Sequence, residues 1–181
     1  MMKPRAIYHL MKADFLQRIR SSGFVVILGL AIFVSYLFVP PATENFLTLG
    51  FGPRRGIYNS AWVGTMYGVF ASFMLPLFTF YFVKNAIERD RDTRVGQIIA
   101  ATPISKPAYI IGKWLSNLAV LSVILLILTG MAVVMQLLRA EDMTIIFSNI
   151  VLPIWLMGLP MMALVSAAAV FFESVPFLQG G

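Results

Sequence analysis

The chain has 181 residues, 59% of them hydrophobic and only 12% charged, with a net charge of +6. A charged fraction about half that of an ordinary soluble domain excludes a disordered chain and a soluble enzyme of usual composition. Without cysteine there are no disulfides or thiolate metal sites, and a single histidine, His9, leaves no His-rich metal centre or general triad chemistry. What remains is a small integral membrane protein.

Along the chain, residues 1–21 predict an amphipathic helix. Ile7, Tyr8, Met11, Phe15 and Ile19 fall within about 120° of arc, with Lys12, Asp14, Gln17 and Arg20 mostly elsewhere and Arg18 intruding on the apolar side. Such a helix suits the membrane interface, either as an elbow that braces a docking surface or as a plain anchor. Four runs without an ionisable residue follow, at 22–39, 61–83, 114–138 and 150–172. Each is long enough, or in the first case marginally long enough, for a helix to cross a hydrocarbon core about 30 Å thick. Their length argues for helices, since barrel strands would show ten-residue alternating segments.

Residues 40–60 read as a turn-rich loop around Pro40, Pro41, Gly50, Gly52, Pro53 and Gly56, with a short hairpin near Phe46–Phe51. The second run carries Gly64, Gly68 and Ser72 at four-residue spacing, a stripe that lets another helix approach closely within the chain or across a subunit interface. Pro76, Pro153 and Pro160 predict kinks or local unwinding. Segment 84–113 opens on Glu88-Arg89-Asp90-Arg91-Asp92, continues as an amphipathic stretch over Val95–Ala101, and breaks at Thr102-Pro103. A second short helix begins near Ser105-Lys106-Pro107 and leads through Tyr109 and Gly112-Lys113 to Trp114, an interfacial anchor.

Lys3, Arg5, Lys12, Arg18, Arg20, Lys84, Arg89, Arg91, Arg94, Lys106 and Lys113 fall on one side of a four-span arrangement. Only Arg54, Arg55 and Arg139 fall on the other. The positive-inside rule puts the first group, and both termini, in the cytoplasm. The basic balance is therefore a topology signal and not a nucleic-acid footprint. No P-loop is present, because Gly112-Lys113 runs into Trp114 without an upstream glycine, and no His-Glu-x-x-His occurs. No carboxylate lies inside a span, which weighs against an intramembrane protease, a membrane-embedded enzyme and an ion-coupled transporter. A transporter built from these spans takes its energy from another subunit. The other open reading is a four-span accessory or sensor protein that moves nothing.

The segment Glu88–Lys113 resembles the ABC-2-type permeases, membrane subunits of ATP-binding-cassette exporters. The resemblance rests on Glu88-Arg89, Gly96-Gln97, Ile98-Ile99-Ala100, Thr102-Pro103, Lys106, Tyr109 and Gly112-Lys113, together with the amphipathic N-terminus and the layout of the spans. It implies an all-α polytopic transmembrane bundle with an N-terminal interfacial helix and a cytoplasmic coupling helix within 84–113. A separate ATPase subunit would bind ATP and magnesium, a second permease copy or homologue would complete the pathway, and this chain would bind no cofactor and catalyse nothing. The coupling residues would be Glu88, Arg89, Arg91, Arg94, Gly96, Ile98, Ile99, Thr102, Pro103, Lys106, Tyr109, Gly112 and Lys113. The resemblance further implies a bacterial or archaeal cell membrane. Family members have six spans where this sequence has four, so the chain reads as incomplete relative to them.

Overall fold

The computed structural model describes residues 4–41, 50–51, 54–83 and 105–174. In chain order these form α1 (Pro4–Ile19), α2 (Ser22–Phe38), β1 (Gly50–Phe51), β2 (Arg54–Arg55), α3 (Ser60–Val83), α4 (Lys106–Arg139) and α5 (Phe147–Ser174). The two short strands form an antiparallel ladder, Gly50 opposite Arg55 and Phe51 opposite Arg54, within the turn-rich loop.

α3, α4 and α5 are each long and apolar enough to cross a membrane, at 24, 34 and 28 residues. α2 has only 17 residues. It reaches spanning length together with Met11–Ile19, from which it bends by 66°, so the helices give three candidate spans, or four with the bent pair taken as one. Ser21 makes the bend. Its backbone is extended, its hydroxyl donates to the Arg18 carbonyl at 2.7 Å, and it accepts from the Phe24 N–H at 3.3 Å. One side chain thus closes the end of α1 and caps the start of α2.

α4 differs from the sequence expectation of a short helix followed by a separate span from Trp114. It is one helix from Lys106, about 50 Å long at 1.5 Å per residue. Ser105 supplies the extended N-cap backbone, and Pro107 sits in the first turn, where a missing N–H costs no helical bond. Beyond it only Gly112 is a weak helix former before Trp114, too little to break the helix.

α3 and α5 also run without interruption through Pro76, Pro153 and Pro160. Pro153 has no N–H to offer the Asn149 carbonyl one turn back. Gly64 of α3 lies against that carbonyl: a Cβ there would fall 2.2 Å from the Asn149 oxygen and 2.8 Å from Ile150 Cα. One turn along, a Cβ on Gly68 would fall 2.9 Å from the Pro153 oxygen. The two glycines let the α3 backbone rest on α5, where Cα–H groups face carbonyl oxygens. Ser72 ends this stripe with its hydroxyl donated to the Gly68 carbonyl at 2.8 Å.

The core gathers around this seam, with Val63, Tyr67, Phe70 and Leu75 from α3, Ile150, Ile154 and Met162 from α5, and Leu121, Ile124 and Leu128 from α4. In lipid such packing holds through close dispersion contact rather than escape from water. Hydrogen bonds tie α4 to α5. Trp114 Nε1 donates to the Ala163 carbonyl at 3.0 Å, Ser166 Oγ to the Trp114 carbonyl at 2.8 Å, and Trp155 Nε1 to Thr129 Oγ1 at 3.1 Å.

At one end of the bundle the segment before α3 meets the α4–α5 link. The Tyr58 N–H donates to the Glu141 carboxylate at 3.1 Å, and the Glu141 N–H returns to the Tyr58 carbonyl at 2.9 Å. Ser60 Oγ donates to the Thr144 carbonyl and accepts from the Ile146 N–H. Arg139, in the last turn of α4, donates to the Tyr36 and Val39 carbonyls and lies 4.2 Å above the Tyr36 ring. It thereby satisfies carbonyls that the end of α2 leaves open. At the opposite end α1 packs on α4.

Substituting Gly64→Leu forces α3 off α5 and costs about 1–3 kcal/mol, the usual penalty of overpacking. Thermal unfolding in detergent should show a clearly lower midpoint. Gly130→Ala, where a Cβ meets nothing within 4 Å, should leave the midpoint unchanged or raised.

Candidate functional site

α1 departs from its amphipathic pattern. Phe15 and Ile19 pack against the core as expected, but Tyr8 is exposed, and Arg18 is buried at 2% exposure. The inward face of α1 is ionic, and Asp14 is the reason. Asp14 also turns inward, against the expectation that it lies off the buried side, and the Arg18 one turn along donates Nε to Asp14 Oδ2 at 3.2 Å. The other carboxylate oxygen, Oδ1, accepts from Lys113 Nζ of α4 at 2.7 Å. Lys113 is 1% exposed, with its ammonium 5.7 Å from the centre of the Tyr109 ring. One carboxylate therefore bridges two cations and two helices.

Electrostatics account for the arrangement. An ammonium taken out of water costs several kcal/mol unless an opposite charge meets it at close range. Lys113 opens the apolar body of α4, and Asp14 is the acid that α1 brings to it. α1 lies outside the long apolar helices. Burial there pushes the Asp14 carboxyl up, but the Arg18 and Lys113 charges, with the Lys113 hydrogen bond, outweigh it and hold the group below the usual carboxylate range. A carboxyl depressed in the folded state contributes stability that is fully present above its unfolded pKa and is lost as pH falls through the folded one.

The residues singled out in the sequence divide into three sets. Lys106 and Tyr109 lie in the first turns of α4, Lys106 exposed and Tyr109 half-buried, while Gly112 and Lys113 are buried one turn further in. Gly64 and Gly68 line the α3–α5 seam, and Ser72 is buried one turn further along α3, bonded to the Gly68 carbonyl. Glu88, Arg89, Arg91, Arg94, Gly96, Ile98, Ile99, Thr102 and Pro103 lie outside the described residues. Among the polar groups of the spans, Thr129, Gln136 and Ser166 bond across to other elements or the α4–α5 link. Thr65, Ser72, Thr79 and Ser122 bond carbonyls of their own helix.

Sequence reasoning missed the Asp14–Lys113 pair and the Arg139 clamp. A signal existed for the first: Asp14 is the only acid in residues 1–21, and Lys113 is the cation immediately before the uncharged run at 114–138. Among the described residues no three His, Asp or Glu side chains converge as metal ligands.

Asp14→Asn removes the carboxylate that bridges buried Lys113 and Arg18, and should cost about 3–5 kcal/mol. Thermal unfolding in detergent measures it directly. The unsubstituted protein should approach the same loss on acidification below about pH 4, whereas the variant should show a flatter acid limb.

A family model described as ABC-2 family transporter protein matches residues 8–175, nearly the whole chain. Comparison with curated proteins and with solved structures returns no match. With its spanning-length apolar helices and this match from α1 through the end of α5, the chain belongs to the ABC-2 transporter family, whose members are membrane components of ATP-binding-cassette transporters.

Proposed function

We propose that the chain is the permease subunit of an ATP-binding-cassette exporter, driven by a separate ATPase subunit that binds ATP and magnesium. The family match over residues 8–175 carries this reading. It is supported by a sequence whose spans hold no ionisable relay, so that the driving energy comes from outside the chain. In this proposal α2 to α5 cross the cell membrane of a bacterium or archaeon four times, with both termini cytoplasmic. The concentration of Lys and Arg in residues 1–21 and 84–113 favours that orientation. A second copy or a homologue completes the pathway.

Residues 84–113 are the coupling segment of this scheme. Ile98 and Ile99 are the apolar pair that seats in a groove of the ATPase. Glu88, Arg89, Arg91 and Arg94 supply charges at its rim, and Gly96, Thr102 and Pro103 shape the entry and exit of the helix. The end of the segment, with Lys106, Tyr109, Gly112 and Lys113, is the start of α4 itself. A push on the coupling segment is therefore delivered along a single helix, and the Asp14–Lys113 pair carries α1 with it. An ordered ion pair between two helices is suited to this because it gives way in discrete steps rather than deforming continuously.

Co-purification with the ATPase tests the proposal. The double substitution Ile98→Asp, Ile99→Asp should abolish association and the stimulation of ATP hydrolysis by the permease. Association at unchanged strength would overturn the coupling assignment, and with it the cytoplasmic placement of that segment.

A further inference from the structure

Between the first turns of α4 and the last turns of α5 lies an open groove of about 380 Å³, lined by Ile110, Ile111, Trp114, Ala167, Val170 and Phe171, with Ser174 at its end. The lining is apolar, with Ile110, Ile111 and Phe171 exposed. Lys106 stands one turn from Ile110, at i and i+4 on the same face of α4, and is exposed. Among the described residues the charge at this end of the bundle is one-sided toward the surroundings. Lys12, Arg20 and Lys106 are exposed, whereas the acids Asp14 and Glu173 are turned into the fold, at 10% and 6% exposure.

An apolar slot with the exposed Lys106 one turn from its lining and the nearby acids buried matches a ligand with a hydrocarbon body and an anionic head. We propose that the groove holds an acyl chain of an anionic phospholipid whose headgroup phosphate pairs with Lys106. In the proposed topology Trp114, in the third turn of α4, falls near the headgroup boundary, where an indole ring meets both headgroup and chain. A zwitterionic lipid fills the hydrocarbon part equally well, so selectivity comes from the cations. Each lysine or arginine close to an anionic membrane surface favours it by about fivefold.

The chain has three tryptophans, and Trp62→Phe with Trp155→Phe leaves Trp114 alone to report on the groove. This variant is reconstituted in phosphatidylcholine vesicles containing either brominated phosphatidylglycerol or brominated phosphatidylcholine at equal mole fraction. Phosphatidylglycerol should quench Trp114 with a relative association constant about fivefold higher. Lys106→Glu should bring the two lipids to parity, and Ala167→Phe, which fills the groove, should remove the preference while the fold is retained. Native mass spectrometry of the unsubstituted chain should give the same ranking of lipid adducts, independently of the tryptophan substitutions. Equal quenching by both lipids would mean unselective bilayer contact. Absence of quenching by either would mean that protein, whether a second copy or another part of the polypeptide, covers the groove. Either result overturns the proposal, and neither bears on association with the ATPase.

Discussion

The burial of one ammonium group, that of Lys113, constrains more of this bundle than any other single interaction. A cation at the threshold of a long apolar helix has two options, to extend outward to water or to be met inside by an acid. Here it is met. Asp14 must then lie inside, so α1 must pack along α4, and Arg18, one turn from Asp14, must follow it into the fold. The 66° bend at Ser21 follows from the same requirement, since α1 is held by α4 while α2 leaves in another direction.

A second constraint acts in the middle of the bundle. Pro153 leaves the Asn149 carbonyl without its helical partner, and Gly64 brings the α3 backbone onto that oxygen. Two residue types that weaken an isolated helix thus make the tightest helix–helix contact described here. α4 is anchored separately at its two ends. Lys113 binds it to α1, and Arg139, in its last turn, binds it to the end of α2. A helix about 50 Å long held in this way transmits displacement along its axis, which is the mechanical property that the proposed coupling requires.

The long uncharged runs were legible because lipid tolerates so few alternatives: α3 and α5 begin and end within two or three residues of the runs that announced them. Pro107 likewise marked the start of α4. Legibility failed where pairing in space decides. The apolar arc of α1 is real at Phe15 and Ile19, and the helical wheel already puts Arg18 on it, but a wheel cannot show that Asp14 becomes interior once Lys113 is opposite. The continuity of α4 was missed for a related reason. Gly112-Lys113 looks like a boundary when a lysine is assumed to stay in water, and it ceases to be one when the lysine is neutralised. The stripe Gly64-Gly68 was visible as small residues, whereas its partner, a carbonyl freed by a proline 85 residues beyond Gly68, was not.

The most direct measurement is a double-mutant cycle on unfolding free energy in detergent, with Asp14→Asn, Lys113→Met and the two combined. If the pair holds α1 to α4, the double variant should be less destabilised than the sum of the single ones, with a coupling energy of about 1–3 kcal/mol. Additive effects, with no coupling between Asp14 and Lys113, would contradict the account.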